Sequence, residues 1–146
     1  MPTKEKRVLI VDDDDAIRAL LFTILRRRRF AVDGARNGIE ALARLRSCVY
    51  SVMLLDLMMP MKSGWDVLEE LKKLPADARP MVLVLTAGNE PRDLDPSIVS
   101  GSIRKPFDVE LLMSTVTACM NALNERAQLP DCPPPDSATV PTEKVN

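Results

Sequence analysis

Val8-Leu9-Ile10-Val11-Asp12-Asp13 is four apolar residues without alternation, closed by two carboxylates. An unbroken apolar run of this length fits a strand covered on both faces, and its far end carries acid. The same arrangement returns three times. Val52-Met53-Leu54-Leu55 runs into Asp56, Met81-Val82-Leu83-Val84-Leu85 runs into Thr86, and a short segment ending at Ile103-Arg104 delivers Lys105-Pro106. If these runs are parallel strands, three carboxylates, a hydroxyl and an ammonium converge on one edge of one sheet.

Amphipathic stretches separate the runs, which is the signature of a parallel α/β sheet with helices on both faces. Ile17, Leu20, Leu21, Ile24 and Leu25 fall on one helical face. Ile39, Leu42 and Ala43 mark a second helix opened by Asn37-Gly38. Trp65, Leu68 and Leu71 mark a third, entered through Ser63-Gly64 and closed before Pro75. Val109, Leu112, Val116, Met120 and Leu123 mark the last, with Asp108 placed to cap it. Phe30-Ala31-Val32 reads as a less buried strand. Between Ala87 and Ser100 the chain carries Gly88, Pro91 and Pro96, so a full helix is not expected there; a mid-helix Pro costs about 3 kcal/mol. A short helix near Asp95 to Val99, or an irregular loop, is expected instead. A five-strand pattern of this kind points to the flavodoxin-like order 2-1-3-4-5.

At 146 residues the chain has room for one domain with a real core. Residues 1–126 are expected to form it. Five of the last seventeen residues are Pro, so 127–146 reads as a disordered tail, too short and Pro-rich for a DNA-binding output domain. The net charge of −1 supplies no basic field for nucleic acid. The run Arg26-Arg27-Arg28-Arg29 reads as a solvated helix end favoured by the helix dipole. Asp14 and Asp15 read as cap and N-terminal charge for the first helix. No apolar stretch approaches the ~20 residues needed to span a bilayer, and the charged start Met1–Arg7 is no signal peptide; a cytoplasmic location is expected. Cys48, Cys119 and Cys132 show no metal spacing, which fits free thiols. Histidine is absent, so any phosphohistidine donor must come from outside the chain.

The chemistry follows from the residue types. Two carboxylates about 4 Å apart repel by roughly 4 kcal/mol at an effective dielectric near 20. Three such groups call for a counterion, and hard oxygen ligands without His or Cys favour Mg2+. A carboxylate beside Mg2+ can act as nucleophile toward phosphorus, while Lys105 neutralises charge and Thr86 donates a hydrogen bond to the transferred group. The chain has neither a P-loop nor a Gly-rich dinucleotide turn. Taken singly, an Asp after a strand is ordinarily a cap, a Thr is ordinary strand composition, and a Lys before Pro is ordinarily solvated. The functional reading rests on four complementary strand ends occurring in order.

These residues closely resemble the receiver domain of two-component response regulators. The match runs through Val8–Asp13, Leu54-Leu55-Asp56-Leu57-Met58-Met59-Pro60 with Gly64 eight residues after Asp56, Val84-Leu85-Thr86-Ala87 and Lys105-Pro106-Phe107, spanning roughly residues 5 to 125. The resemblance implies that Asp56 is the phosphoacceptor and that Asp12, Asp13 and Asp56 hold Mg2+ with the backbone carbonyl of Met58. Thr86 and Lys105 would be the switch hydroxyl and the phosphate-contacting lysine, and the Lys105-Pro106 bond is expected to be cis. The implied partners are a sensor histidine kinase or histidine phosphotransfer protein as donor and a downstream protein target. Neither a nucleic acid nor a membrane is expected as partner, and the protein would act as a monomer or a phosphorylation-dependent dimer. It would be a stand-alone switch, no enzyme beyond its own Mg2+-dependent phosphorylation from a donor.

Departures from the family pattern are Ser102, where an aromatic usually reports phosphorylation, and a shortened Thr86-to-Lys105 interval. Met58 and Gly88, at the positions that tune hydrolysis in the family, cannot orient a water through a side chain. Two other readings compete. Asp12-x-Asp14 superficially resembles the nucleophile–acid pair of haloacid-dehalogenase-like phosphohydrolases, which leaves Asp56 without a role. A receiver fold acting as a phosphorylation-independent interaction module is the second.

Overall fold

The computed structural model describes residues 7–88 and 94–124, without the side chains of the last two. Five strands, β1 (Arg7–Val11), β2 (Ala31–Ala35), β3 (Val52–Asp56), β4 (Met81–Thr86) and β5 (Val99–Arg104), form one parallel sheet in the order β2-β1-β3-β4-β5. Four α-helices connect and flank them: α1 (Asp15–Arg27), α2 (Gly38–Ser47), α3 (Gly64–Leu71) and α4 (Val109–Asn124). The expected fold class and strand order are both present.

Alternation along the strands splits the core in two. Leu9, Val11, Met53, Leu55, Val82 and Val84 face α2 and α3, packing on Ala41, Val67, Leu68 and Leu71. Val8, Ile10, Val52, Leu54, Leu83 and Leu85 face the other way, onto Leu21 and Leu25 of α1 and Leu112, Met113, Val116 and Met120 of α4. With both faces covered, the central strands have no polar side to show, which is why they read as continuous apolar runs. Each such Val or Leu contributes about 1.5 to 3 kcal/mol on burial.

The helix starts are set locally, as their sequences predict. Asp14 accepts from the Ala16 and Ile17 N–H groups, Asn37 from Glu40 and Asp108 from Glu110 and Leu111. Ser63 and Asp66 form a reciprocal capping box. The arginine run closes α1: Arg26 and Arg27 lie in its last turn, exposed, with Arg26 above the Phe22 ring, and Arg29 adopts a positive φ.

Several sequence expectations are corrected. The buried face of α1 is Arg18, Leu21 and Leu25, with Leu20 exposed; that of α2 is Gly38, Ala41 and Arg44, with Ile39 exposed and Ala43 on the solvent side. In both helices a buried arginine takes a place that apolar periodicity gives to a neighbour, because its guanidinium bonds a carbonyl at a strand end: Arg18 to Asp12 O and Arg44 to Gly34 O. The second strand is not Phe30–Val32 but Ala31–Ala35, and its Val32, Asp33, Gly34 and Ala35 are all buried. Between β4 and β5 the described residues hold no helix, so the second of the two expected alternatives, an irregular loop, is the one present there. Asp95 organises one turn, accepting from Ser97, Ile98 and Val99, and β5 begins at Val99. The rest of that expected helix region, residues 89–93, and the expected tail lie outside the described residues. Cys48 is disulfide-bonded, whereas Cys119 is a free, buried thiol. Spacing in sequence could not register that bond.

Asp33 is 2% exposed and pairs with Arg7 (Nη1 to Oδ2 3.2 Å), while the Tyr50 hydroxyl donates to the same oxygen at 2.6 Å. Burial and the Asp33 charge push the Tyr50 phenol far above its ordinary value, so it stays a donor throughout the stable range. Tyr50→Phe removes a hydrogen bond to a buried charge and is expected to cost about 1.5 to 3 kcal/mol in urea unfolding. A loss below about 0.5 kcal/mol would contradict this account, because surface substitutions reach that much.

Candidate functional site: an acidic pocket at the strand ends

β1 and β3 pair in register through Val11↔Leu55, so the next residues, Asp12 and Asp56, emerge level with each other at the carboxyl edge of the sheet. Asp13 follows on the surface. Asp12 and Asp56 are buried and Asp13 is exposed, and a carboxylate oxygen from each lies within 4.8 Å of those of the others. All three residues expected at the acidic end come together.

Backbone and side-chain contacts aim the acids. Asp12 Oδ1 accepts from the Asp14 N–H at 2.9 Å, and its carbonyl takes the Arg18 guanidinium at 2.7 Å. Arg18 in turn pairs with Asp15. Asp56 Oδ1 accepts from the Met58 N–H at 3.1 Å, leaving the Met58 side chain exposed. Gly64 N–H donates to Leu57 O, closing the loop after β3 against the start of α3.

Lys105 directly follows the end of β5, and the Lys105-Pro106 bond after it is cis, as expected. Its Nζ lies 2.9 Å from Asp12 Oδ2 and 3.5 Å from Asp56 Oδ2. Burial works to lower the Lys105 ammonium, but the hydrogen bond and charge of Asp12, with those of Asp56, outweigh it and hold its pKa above the ordinary lysine value. Asp56 is pushed up to about 6: burial contributes most, then the Asp12 charge, against the opposing Met58 N–H and Lys105. One ammonium does not neutralise three carboxylates. The excess negative charge and the all-oxygen donor set fit a hard divalent cation such as Mg2+.

Thr86 ends β4, on the strand next to Asp56, and is almost fully buried. Its Oγ1 accepts from the Gly88 N–H at 2.9 Å, which occupies a lone pair and leaves the hydroxyl proton to be donated elsewhere. Ser102 is exposed on β5. Sequence reasoning missed Arg18. The signal was present, since Arg18 precedes Leu21 and Leu25 by three and seven positions on one helical stripe.

Comparison with known proteins identifies the family. The response regulator receiver domain family matches residues 8–117. The transcriptional regulatory protein ResD of Bacillus subtilis is 32% identical over 146 residues, covering 98% of this chain and 57% of its own length. The DNA-binding response regulator MtrA of Mycobacterium tuberculosis is 34% identical over 121 residues, covering 81% of this chain and 52% of its own. The chain thus spans about half the length of these relatives. Among solved structures, a receiver domain protein from Methanospirillum hungatei superposes with a TM-score of 0.74 at 32% identity, covering 83% of this chain and 98% of that one. The response regulator TrrA of Thermotoga maritima, solved in complex with Mg2+ and BeF, gives a TM-score of 0.69 at 35% identity, covering 78% of this chain and 98% of that one. Among the described residues no helix is long and apolar enough to cross a membrane. By fold, by the acids gathered at its strand ends and by sequence, the chain belongs to the receiver-domain family of two-component response regulators.

Proposed function

We propose that the protein is a phosphorylatable switch in which Asp56 accepts a phosphoryl group from a phosphohistidine on a sensor histidine kinase or histidine phosphotransfer protein. An O–P bond forms at the Asp56 carboxylate as the donor N–P bond breaks and the imidazole takes up a proton. Asp12, Asp13, Asp56 and the Met58 carbonyl would hold Mg2+, which offsets charge on the phosphoryl oxygens when bound. Lys105 would neutralise charge on the phosphoryl oxygens, and Thr86 would donate its hydroxyl proton to one of them. The observation that carries this reading is Lys105 Nζ spanning Asp12 and Asp56 inside a cluster of three carboxylates.

The signal then passes to a protein target by a population shift of the Thr86 loop and the surface near Ser102. The receiver unit would be residues 1–126, with 127–146 as a Pro-rich tail, and its compartment would be the cytoplasm.

Mass spectrometry after incubation with acetyl phosphate tests the proposal. A labile gain of one phosphoryl group, dependent on Mg2+ and absent in Asp56→Asn, is expected. No adduct with any donor would leave the fold as an interaction module. Turnover of a phosphate ester lost in Asp12→Asn but kept in Asp56→Asn would point instead to phosphohydrolase chemistry. Since Met58 and Gly88 offer no side chain to orient a water, the phosphorylated form should persist for minutes or longer; decay within seconds, followed by loss of label, would refute that.

A further inference from the structure

Ser102 cannot act as an aromatic reporter, yet the Thr86 turn is not without a side chain resting on it. Thr86 pairs directly with Arg104 in the β4–β5 register, and the Lys105 N–H donates to Thr86 O at 2.7 Å, so the two strand ends are tied through their backbones. The Arg104 side chain then turns back over the loop. A Cβ built on Gly88 would lie 2.2 Å from Nε, 2.3 Å from Nη2 and 2.5 Å from Cζ of Arg104. The guanidinium therefore lies on the bare Cα of Gly88, with its Nε 3.5 Å from Ala87 O. Gly88 has φ +95°, a conformation costly for any other residue, and its N–H is held by Thr86 Oγ1.

These contacts form a short chain: Thr86 hydroxyl, Gly88 amide, Gly88 Cα, Arg104 guanidinium. We propose that Arg104 is the positioning residue through which the state of Asp56 is read, its guanidinium shifting off Gly88 when Thr86 turns to the phosphoryl group. The inference rests on the phosphorylation of Asp56 proposed above. When Thr86 reorients, the Gly88 N–H loses its acceptor and the turn must repack, which removes the surface on which Arg104 lies. The group displaced is exposed and charged, so the change reaches solvent without a buried ring having to rotate.

The test uses the 15N-labelled full chain titrated with beryllofluoride and Mg2+, a mimic of the aspartyl phosphate. The Met58 amide reports occupancy of Asp56, and the Gly88 amide and Arg104 Nε–H report the coupling. The expected result is that all three shift together, while Arg36 Nε–H, paired with Glu40 on α2, stays in place. In Arg104→Gln the Met58 and Gly88 responses should both persist, because both precede the guanidinium in the chain of contacts; loss of either would mean that Arg104 acts on the site rather than reading it, and would overturn the inference. A saturating Met58 response with Arg104 unmoved, or an equal shift at Arg36, overturns the inference while leaving the phosphorylation reading intact. No response at Met58 overturns the phosphorylation reading, and this one with it.

Discussion

Asp56→Asn is expected to make the metal-free protein more stable by about 2 to 3 kcal/mol at pH 7, read from urea unfolding in EDTA. Burial and Asp12 hold Asp56 at about 6 in the folded chain, against 3.8 for the free group. A carboxyl whose folded pKa is raised binds its proton more tightly when native, so ionising it costs stability. That cost is absent below about pH 4, grows as pH rises through the interval to 6 and is complete above it. The advantage of the Asn variant should follow the same curve, vanishing in acid. Added Mg2+ should then stabilise the wild type more than the variant and narrow the gap. A variant less stable than wild type at pH 7 without metal would show that Lys105 already compensates the cluster.

Gly64→Ala should act in the opposite direction and with similar size. In an ordinary helix the change gains up to about 1 kcal/mol. Here the added Cβ would lie 2.5 Å from Asp56 O and 2.6 Å from Leu57 Cα, both backbone atoms that cannot swing aside. Either the start of α3 withdraws from the sheet or the end of β3 moves with Asp56. A loss of about 3 kcal/mol is expected, with slower phosphorylation from acetyl phosphate. Gly101→Ala is the control: its Cβ would meet only Leu83 Cδ2, at 3.4 Å, and should change stability by less than about 1 kcal/mol. Equal losses in the two variants would show that glycine flexibility, not close approach, governs position 64.

The reactive end of the sheet was legible because its signal is local. An apolar run and the acid that ends it are contiguous, so Asp12, Asp13, Asp56, Thr86 and Lys105 could be placed on strand ends before any contact was known. What escaped was mainly what depends on a partner outside the run itself. Asp33 and Gly34 break the pattern of β2, and Arg7 and Tyr50, far along the chain, bond the buried carboxylate there. Arg44 looks solvated until the strand carbonyl it binds is in view, whereas the helical stripe of Leu21 and Leu25 already marked Arg18. The link between β4 and β5 was marked by its prolines as a poor helix, yet nothing in its composition said that Arg104 would fold back onto Gly88.

The register that sets Val11 against Leu55 carries one more implication. Asp12 and Asp56 are spaced by the hydrogen-bond ladder of two parallel strands, about 4.8 Å apart in any such sheet, and not by the shapes of the side chains packed above and below. Affinity for a divalent ion at this pocket should therefore be insensitive to exchanges among Val, Leu, Ile and Met in β1 and β3 that leave the sheet paired. The apolar interior is free to drift through sequence space while the spacing of the two acids stays fixed by the main chain.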